Sequence, residues 1–112
     1  MLTGIRVLDL SRLLPGPACT SFLQSMGAQV DRVESLKGDL TRVMPPMIDG
    51  VGAYFASISG GKRSISINFR HPDAAELLIS LLANYDVLVE GFKPGTLENI
   101  GLESHCLFLK KL

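Results

Sequence analysis

Residues 5–34 of the chain read IRVLDLSRLLPGPACTSFLQSMGAQVDRVE, and this stretch decides the fold. Ile5 to Leu10 are mostly apolar and partly β-branched, and the Pro15-Gly16-Pro17 turn follows them, which predicts a buried first strand. Pro17 is also a typical first-turn residue of a helix. Residues 29–34 predict a second strand. Strand, helix and strand in so short a span form a βαβ unit, which implies parallel strands and a right-handed crossover.

The predicted helix of this unit has apolar residues spaced at i, i+3, i+4 and i+7. They are Cys19, Phe22, Leu23 and Met26. This spacing places them on one face of an amphipathic helix. Gly27 is expected to end the helix as a C-terminal cap.

The rest of the chain repeats the alternation of strands and helices. Residues 35–52 predict a long loop, 53–58 a short helical turn, 64–68 a half-buried strand and 86–90 a further strand. Between these strands, Pro72 opens a second helix, and Thr96 is expected to cap a short final turn. The helix after Pro72 carries a long apolar stripe of Ala74, Leu77, Leu78, Leu81, Leu82 and Tyr85. The predicted fold class is α/β, a Rossmann-like parallel sheet with flanking helices.

The composition excludes several classes of protein. The 112 residues contain 11 Lys+Arg and 11 Asp+Glu, and this balance argues against general binding of nucleic acid. No apolar run approaches the ~20 residues that cross a bilayer, so no membrane partner is expected. The amino terminus leads straight into the first strand, which leaves no room for a signal peptide. Cys19 and Cys106 lack a CxxC spacing and are interpreted as reduced thiols of a cytoplasmic protein.

A ligand site is expected where the parallel strands end, because ligands of open α/β sheets bind outside the carboxyl ends of the strands. The loops that follow those ends carry Arg12, Lys37, Arg42 and Lys93. Scattered cations in Gly/Pro loops suit a phosphorylated ligand. From spacing alone, ordinary solvated loop charges remain the alternative.

Sharper motifs are missing from the sequence. No GxGxxG follows the first strand, and Gly61-Lys62-Arg63-Ser64 fails as a phosphate loop because Ala56 stands where the first glycine belongs. No group of residues has the spacing of a metal site. His71 and His105 are interpreted as capping or surface residues.

The remaining acid–base candidates are Asp9 and Glu34, which end buried strands. Either is a structural carboxylate or a ligand contact. No set of nucleophile, base and orienting group can be assembled from the residues present, so no catalytic residue is expected in this chain.

Five ordered blocks of the sequence resemble the family III CoA-transferases, which include the α-methylacyl-CoA racemases. The blocks span residues 2–17, 27–34, 38–42, 61–68 and 86–95, and they include the runs LPGP, GKRS and EGFKPG. The resemblance covers nearly everything from Leu2 to Leu102. Residues 1–102 are therefore expected to be the CoA-binding, Rossmann-like part of a larger fold, followed by a divergent tail over 103–112.

The resemblance implies an acyl-CoA thioester as the ligand, with coenzyme A as part of the substrate and no separate cofactor. The positions that match CoA contacts are Arg42, Lys62, Arg63, Gly91, Phe92 and Lys93. The basic side chains of Arg42, Lys62 and Arg63 suit phosphates. Phe92 suits the adenine or the pantetheine arm, with simple packing over the strand end as the alternative.

Two chemistries compete within this family. Racemases exchange the proton α to the thioester with a His/Asp pair, and transferases form a covalent intermediate on an aspartate. Gly91 stands where many transferases carry Asn, which favours the racemase branch. CoA transfer between carboxylic acids is the first alternative, and a non-catalytic CoA-binding or interaction module is the second.

The resemblance also implies that the catalytic His and Asp of the family lie beyond Leu112. The chain is therefore expected to be a truncated, inactive piece of an enzyme whose family members are interlocked homodimers. Asn99 stands where the family usually has Arg or Lys, which removes one expected phosphate contact. A mitochondrial or peroxisomal location stays open if the source is eukaryotic.

Overall fold

The computed structural model describes residues 1–102. In chain order the elements are strand β1 (Arg6–Asp9), helix α1 (Pro15–Ser25), strand β2 (Gln29–Glu34), a 3₁₀ turn (Leu40–Val43), strands β3 (Met47–Ile48) and β4 (Val51–Gly52), helix α2 (Ala53–Ser59), strand β5 (Arg63–Ser66), helix α3 (Ala74–Leu82), strand β6 (Val87–Val89) and helix α4 (Thr96–Ile100).

The main sheet has the order β5-β2-β1-β6, and all three of its strand pairs are parallel. Strand β1 lies between β2 and β6, with Asp9 opposite Arg32 on one side and Val89 on the other. The chain leaves β1 toward β2 and later returns to its opposite side, which makes the gap between β1 and β6 a topological switch point. The predicted α/β class is confirmed.

Apolar residues cover both faces of the sheet. The larger core is formed mostly by the sheet with α3 and α4, and its fully buried members include Leu8, Leu78 and Leu102. A smaller core of Val7, Ala28 and Val30 lies on the other face, where Leu23 of α1 packs against it. Each fully buried aliphatic side chain contributes about 1.5–3 kcal/mol of transfer free energy.

Helix α1 buries a different face from the one its apolar spacing defines. Cys19 is exposed, Phe22 is 69% exposed and Met26 is 40% exposed, whereas Thr20 is fully buried. The Thr20 hydroxyl donates a hydrogen bond of 2.6 Å to Asp9 in β1. A buried hydrogen-bonded threonine therefore orients this helix, which apolar periodicity does not reveal.

The predicted long loop contains short regular elements that were not predicted from the sequence. Residues 47–52 form the short antiparallel pair of β3 and β4, and a 3₁₀ turn precedes it. Asp39 caps that turn, because its side chain accepts hydrogen bonds from the Thr41 backbone and hydroxyl. Most other predicted elements are confirmed with shifts of one or two residues at their ends, but α3 ends at Leu82, three residues before the end of its predicted apolar stripe at Tyr85. The N-cap of α4 is Gly95 and not the predicted Thr96, which is the first residue of the helix. In the described part of the chain, no helix has both the length and the apolar character needed to span a bilayer.

Candidate functional site at the carboxyl ends of the strands

A cavity opens at the switch point, beside the carboxyl ends of the central strands. It has a volume of about 70 Å³, and its lining includes Leu10, Arg12, Glu34, Asp39, Phe69 and Phe92. This volume is far below the roughly 300–1,000 Å³ of a typical ligand pocket. The cavity can therefore hold part of a ligand, and the remainder must lie on the surface next to it.

The loop after β6 forms one wall of this cavity. The Arg12 guanidinium lies 5.4 Å from the centroid of the Phe92 ring, which is a cation–π contact. The Phe92 backbone N–H donates a hydrogen bond of 2.9 Å to the Glu90 carboxylate. Gly91 and Lys93 on either side of Phe92 are exposed. The predicted residues Gly91, Phe92 and Lys93 thus lie in the loop that borders the cavity.

A wider groove lies next to the cavity, between the loops that follow β2 and β5. Its volume is about 350 Å³, and Lys37 and Arg70 lie along it. Both cations are exposed. Phe69 lines both the groove and the cavity. Phe69 and Arg70 were not predicted as site residues, although a cation just after the predicted strand 64–68 is a signal for this edge.

Arg42 is paired with a carboxylate inside the protein. Its Nε lies 3.0 Å from Oε2 of Glu34, and its Nη2 lies 3.2 Å from Oε1 of the same residue. The guanidinium also lies over the Phe55 ring, 4.2 Å from the centroid. The Arg42 side chain remains 40% exposed. The structure thus places Arg42 beside Glu34, at the end of β2.

Lys62 points into the protein. Its side chain is 1% exposed, and Nζ donates hydrogen bonds of 2.8 Å to the Pro17 carbonyl and to the Thr20 hydroxyl. Nζ also lies 3.9 Å from Oδ2 of Asp9, which is fully buried. The other oxygen of Asp9 accepts hydrogen bonds from the Ser11 backbone and hydroxyl. This Asp9 cluster, consisting of Asp9, Ser11, Thr20 and Lys62, fastens α1 to the sheet.

Arg63 lies at the opposite end of its strand from the cavity. It is the first residue of β5, and it makes a bidentate pair with Asp31 at 2.7 and 2.8 Å. The Tyr85 hydroxyl donates a further hydrogen bond of 2.6 Å to Asp31. The hydrogen bond from Arg63 is the main reason that the pKa of Asp31 is lowered, and it outweighs the opposing effect of burial. Arg42, Lys62 and Arg63 are thus engaged by three separate carboxylates.

A second buried ion pair lies beside the cavity. Arg32 is 1% exposed, and its Nη2 lies 2.7 Å from Oδ2 of Asp39. Burial raises the pKa of Asp39, but hydrogen bonds from Thr41 and Leu13 and the charge of Arg32 outweigh this effect and lower it overall. Nothing in the sequence pattern distinguishes Arg32 from a solvated strand residue, so this pair was missed.

The buried Lys62 gives a prediction for the pH dependence of stability. Burial, only partly offset by the charge of Asp9, lowers the pKa of Lys62 from 10.5 to about 8. When the pH lies between these two pKa values, Lys62 binds more protons in the unfolded chain than in the folded chain. The free energy of unfolding must therefore rise with pH. We expect the free energy of unfolding to increase by about 2 kcal/mol between pH 7 and 9.5 through this residue.

Urea unfolding of the full chain and of a Lys62→Met variant at both pH values measures this effect. The rise should be present in the unmodified chain and absent from the variant. An equal pH dependence in both proteins would contradict the role of Lys62.

His71 and His105 were both interpreted from the sequence as capping or surface residues. The His71 Nδ1 accepts a hydrogen bond of 3.1 Å from the Asp73 backbone, which agrees with the capping interpretation. His105 and Cys106 lie outside the described residues.

Comparison with known proteins identifies the family. The sequence-family model of CoA-transferase family III matches residues 2–107 of this chain. A solved CAIB/BAIF family protein from Brucella suis superposes with a TM-score of 0.85 at 41% identity, over 95% of this chain and 30% of that chain. The chain belongs to CoA-transferase family III.

Curated relatives agree with this membership. An acyl-CoA transferase of Fusarium pseudograminearum is 43% identical over 90% of this chain and 24% of its own length. A succinyl-CoA:mesaconate CoA-transferase of Haloarcula marismortui is 44% identical over 87% of this chain and 26% of its own length. The chain thus spans about a quarter of the length of these relatives. Both names describe transferases, which favours the transferase alternative over the racemase interpretation.

Proposed function

We propose that this chain is the part of a CoA-transferase that holds the nucleotide end of an acyl-CoA. The observation that carries the proposal is the cavity at the switch point and its adjoining groove, bordered by Arg12, Lys37, Arg70 and Phe92 in a family III chain. Cations beside an aromatic ring suit a ligand that carries both phosphates and a base. The same edge of the sheet is where open α/β folds bind nucleotides.

The two parts of the site suit different parts of CoA. The groove with Lys37 and Arg70 suits the phosphates, since both cations are exposed and can turn toward a ligand. The Phe92 loop, with its neighbours Gly91 and Lys93, suits the adenine or the pantetheine arm. Arg42, Lys62 and Arg63, which match CoA contacts in the family, must give up or share their carboxylates to bind a phosphate directly.

The proposed reaction of the whole enzyme is the movement of CoA between carboxylic acids. The names of the relatives support this over the racemase reaction, because they describe transfer from acyl-CoA donors such as succinyl-CoA. Family III transferases form a covalent intermediate on an aspartate. The proposal assigns that aspartate to no residue of 1–102, and we expect the purified chain to show CoA binding without turnover.

Replacing both groove cations tests the proposed site. We expect Lys37→Gln/Arg70→Gln to weaken the binding of CoA about tenfold, because each exposed phosphate pair contributes roughly 0.2–1 kcal/mol. Saturation-transfer NMR with CoA measures the Kd of the full chain. The matched control is Arg6→Gln, which removes a cation at the amino end of β1. Equal weakening by both variants would indicate nonspecific attraction, and unchanged binding by the double variant would overturn the assignment of the groove.

A further inference from the structure

Two carboxylates border the cavity in which an anionic ligand is proposed to bind. Glu34 ends β2 and is 7% exposed, and Asp39 begins the next turn and is 5% exposed. An unpaired carboxylate in such a wall repels phosphate across a medium of reduced dielectric constant. The cavity therefore needs countercharges if it is to accept CoA.

Asp39 has its countercharge within the sheet. Arg32 is buried, bonds Asp39 at 2.7 Å and lies 3.7 Å from Glu34. Because Arg32 is already committed to Asp39 at the shorter distance, its single charge cannot compensate both carboxylates. Glu34 is left to a second cation.

Arg42 is held in a geometry that fits this task. Two of its nitrogens chelate the Glu34 carboxylate, and its guanidinium rests on the Phe55 ring. Gly38 leaves room beside this pair, since a Cβ at Gly38 would lie 3.0 Å from Cδ of Arg42 and 3.6 Å from Oε2 of Glu34. The φ of Gly38 is +76°, a conformation that other residues adopt only with strain. Gly38 itself lines the cavity, which brings the pair next to the cavity wall.

We propose that Arg42 is a positioning residue, which prepares the cavity for an anionic ligand by neutralising Glu34, and that it makes no direct phosphate contact. Phe55 supports it by fixing the guanidinium plane against Glu34. The inference rests on the proposed CoA site and specifies how that site tolerates a carboxylate in its wall. It differs from the contact role that the sequence resemblance implies for Arg42.

A double-mutant cycle separates the two roles. Arg42→Ala should weaken CoA binding about tenfold, and Glu34→Gln should tighten it, because the positive charge of Arg42 is then no longer offset by Glu34. Combining them should restore nearly the original Kd, because removing the carboxylate removes the need for its countercharge. If Arg42 instead bound a phosphate directly, the double variant would bind CoA as weakly as Arg42→Ala does. Circular dichroism and the free energy of unfolding of each variant show that binding is measured on folded protein.

Dephospho-CoA provides a second, independent readout. A neutralising Arg42 should affect CoA and dephospho-CoA in the same ratio to within about twofold, whereas a direct contact to the 3′-phosphate affects CoA alone. Arg42→Lys keeps the charge and should retain most of the affinity, which covers the case in which the alanine variant does not fold.

Three outcomes would overturn the inference. In the first, Glu34→Gln does not restore CoA binding to Arg42→Ala. In the second, Arg42→Ala weakens the binding of CoA but not of dephospho-CoA. In the third, Glu34→Gln alone weakens CoA binding, which would make Glu34 a ligand contact. If the unmodified chain shows no saturation transfer from CoA, the proposed function fails and the inference fails with it. Binding by the unmodified chain with no rescue overturns the inference alone.

Discussion

Asp9→Ala is expected to lower the free energy of unfolding by about 3 kcal/mol at pH 7. Asp9 is fully buried at the end of β1 and accepts hydrogen bonds from Ser11 and Thr20. Its removal leaves the Lys62 ammonium buried without a countercharge. Breaking a buried pair by deleting one partner is costly because the other charge remains desolvated. Helix α1 would lose the hydrogen bond from Thr20 to β1.

Urea unfolding of the 112-residue chain measures this loss. The matched control is Asp73→Ala, whose side chain is 79% exposed and should change stability by less than about 0.5 kcal/mol. Asp9→Asn keeps the shape and should recover part of the loss through its hydrogen bonds. A cost for Asp9→Ala no greater than that of the control would contradict the described Asp9 cluster.

Asp39→Ala is expected to be about equally destabilising, by roughly 3 kcal/mol. This change leaves the buried Arg32 guanidinium with its hydrogen bond of 3.0 Å to Ser59, its contact of 3.7 Å to Glu34 and its contact to the Phe55 ring. It also removes the cap of the 3₁₀ turn and the hydrogen bond from Leu13. The loops that border the cavity would therefore lose a shared anchor.

The double variant Asp39→Ala/Arg32→Met distinguishes an uncompensated charge from a mere loss of packing. Because an apolar side chain needs no countercharge, the double variant should be more stable than Asp39→Ala alone. Further destabilisation by Arg32→Met would contradict the ion-pair explanation. The stability in acid provides a second check. Because the pKa of Asp39 is lowered in the fold, its contribution to stability is fully present above the unfolded pKa near 4 and is lost as the pH falls through the lower folded pKa.

The regular elements of this fold were predictable because they depend on local spacing. The apolar stripe after Pro72 indicates α3, and the β-branched runs indicate the parallel strands. Spacing along one helix did not reveal how α1 faces the sheet, since that depends on a bond between Thr20 and Asp9 across eleven residues. The β3–β4 pair was missed because each strand has only two residues.

The candidate site was predictable as an edge but not as a set of contacts. The carboxyl ends of parallel strands must meet, so the sequence predicted that the Phe92 loop and Lys37 lie at one edge of the sheet, where the structure has them. Which cations pair with carboxylates depends on the strand register, and the register pairs Arg63 with Asp31 across 32 residues. Periodicity carries no information about such long-range partners, so neither the burial of Lys62 nor the pairing of Arg42 was visible in the sequence.

The position of β6 in the sheet has a consequence for how the molecule assembles. β1 can pair with β2 once about thirty residues have been synthesised. Its other edge pairs with β6, which comes much later in the chain. At the same edge the Arg6 backbone N–H donates a hydrogen bond to the Asp86 carboxylate, 80 positions away. A nascent chain therefore carries the open hydrogen-bonding edge of its central strand until nearly the whole described segment has emerged. During synthesis that open edge can pair with wrong partners.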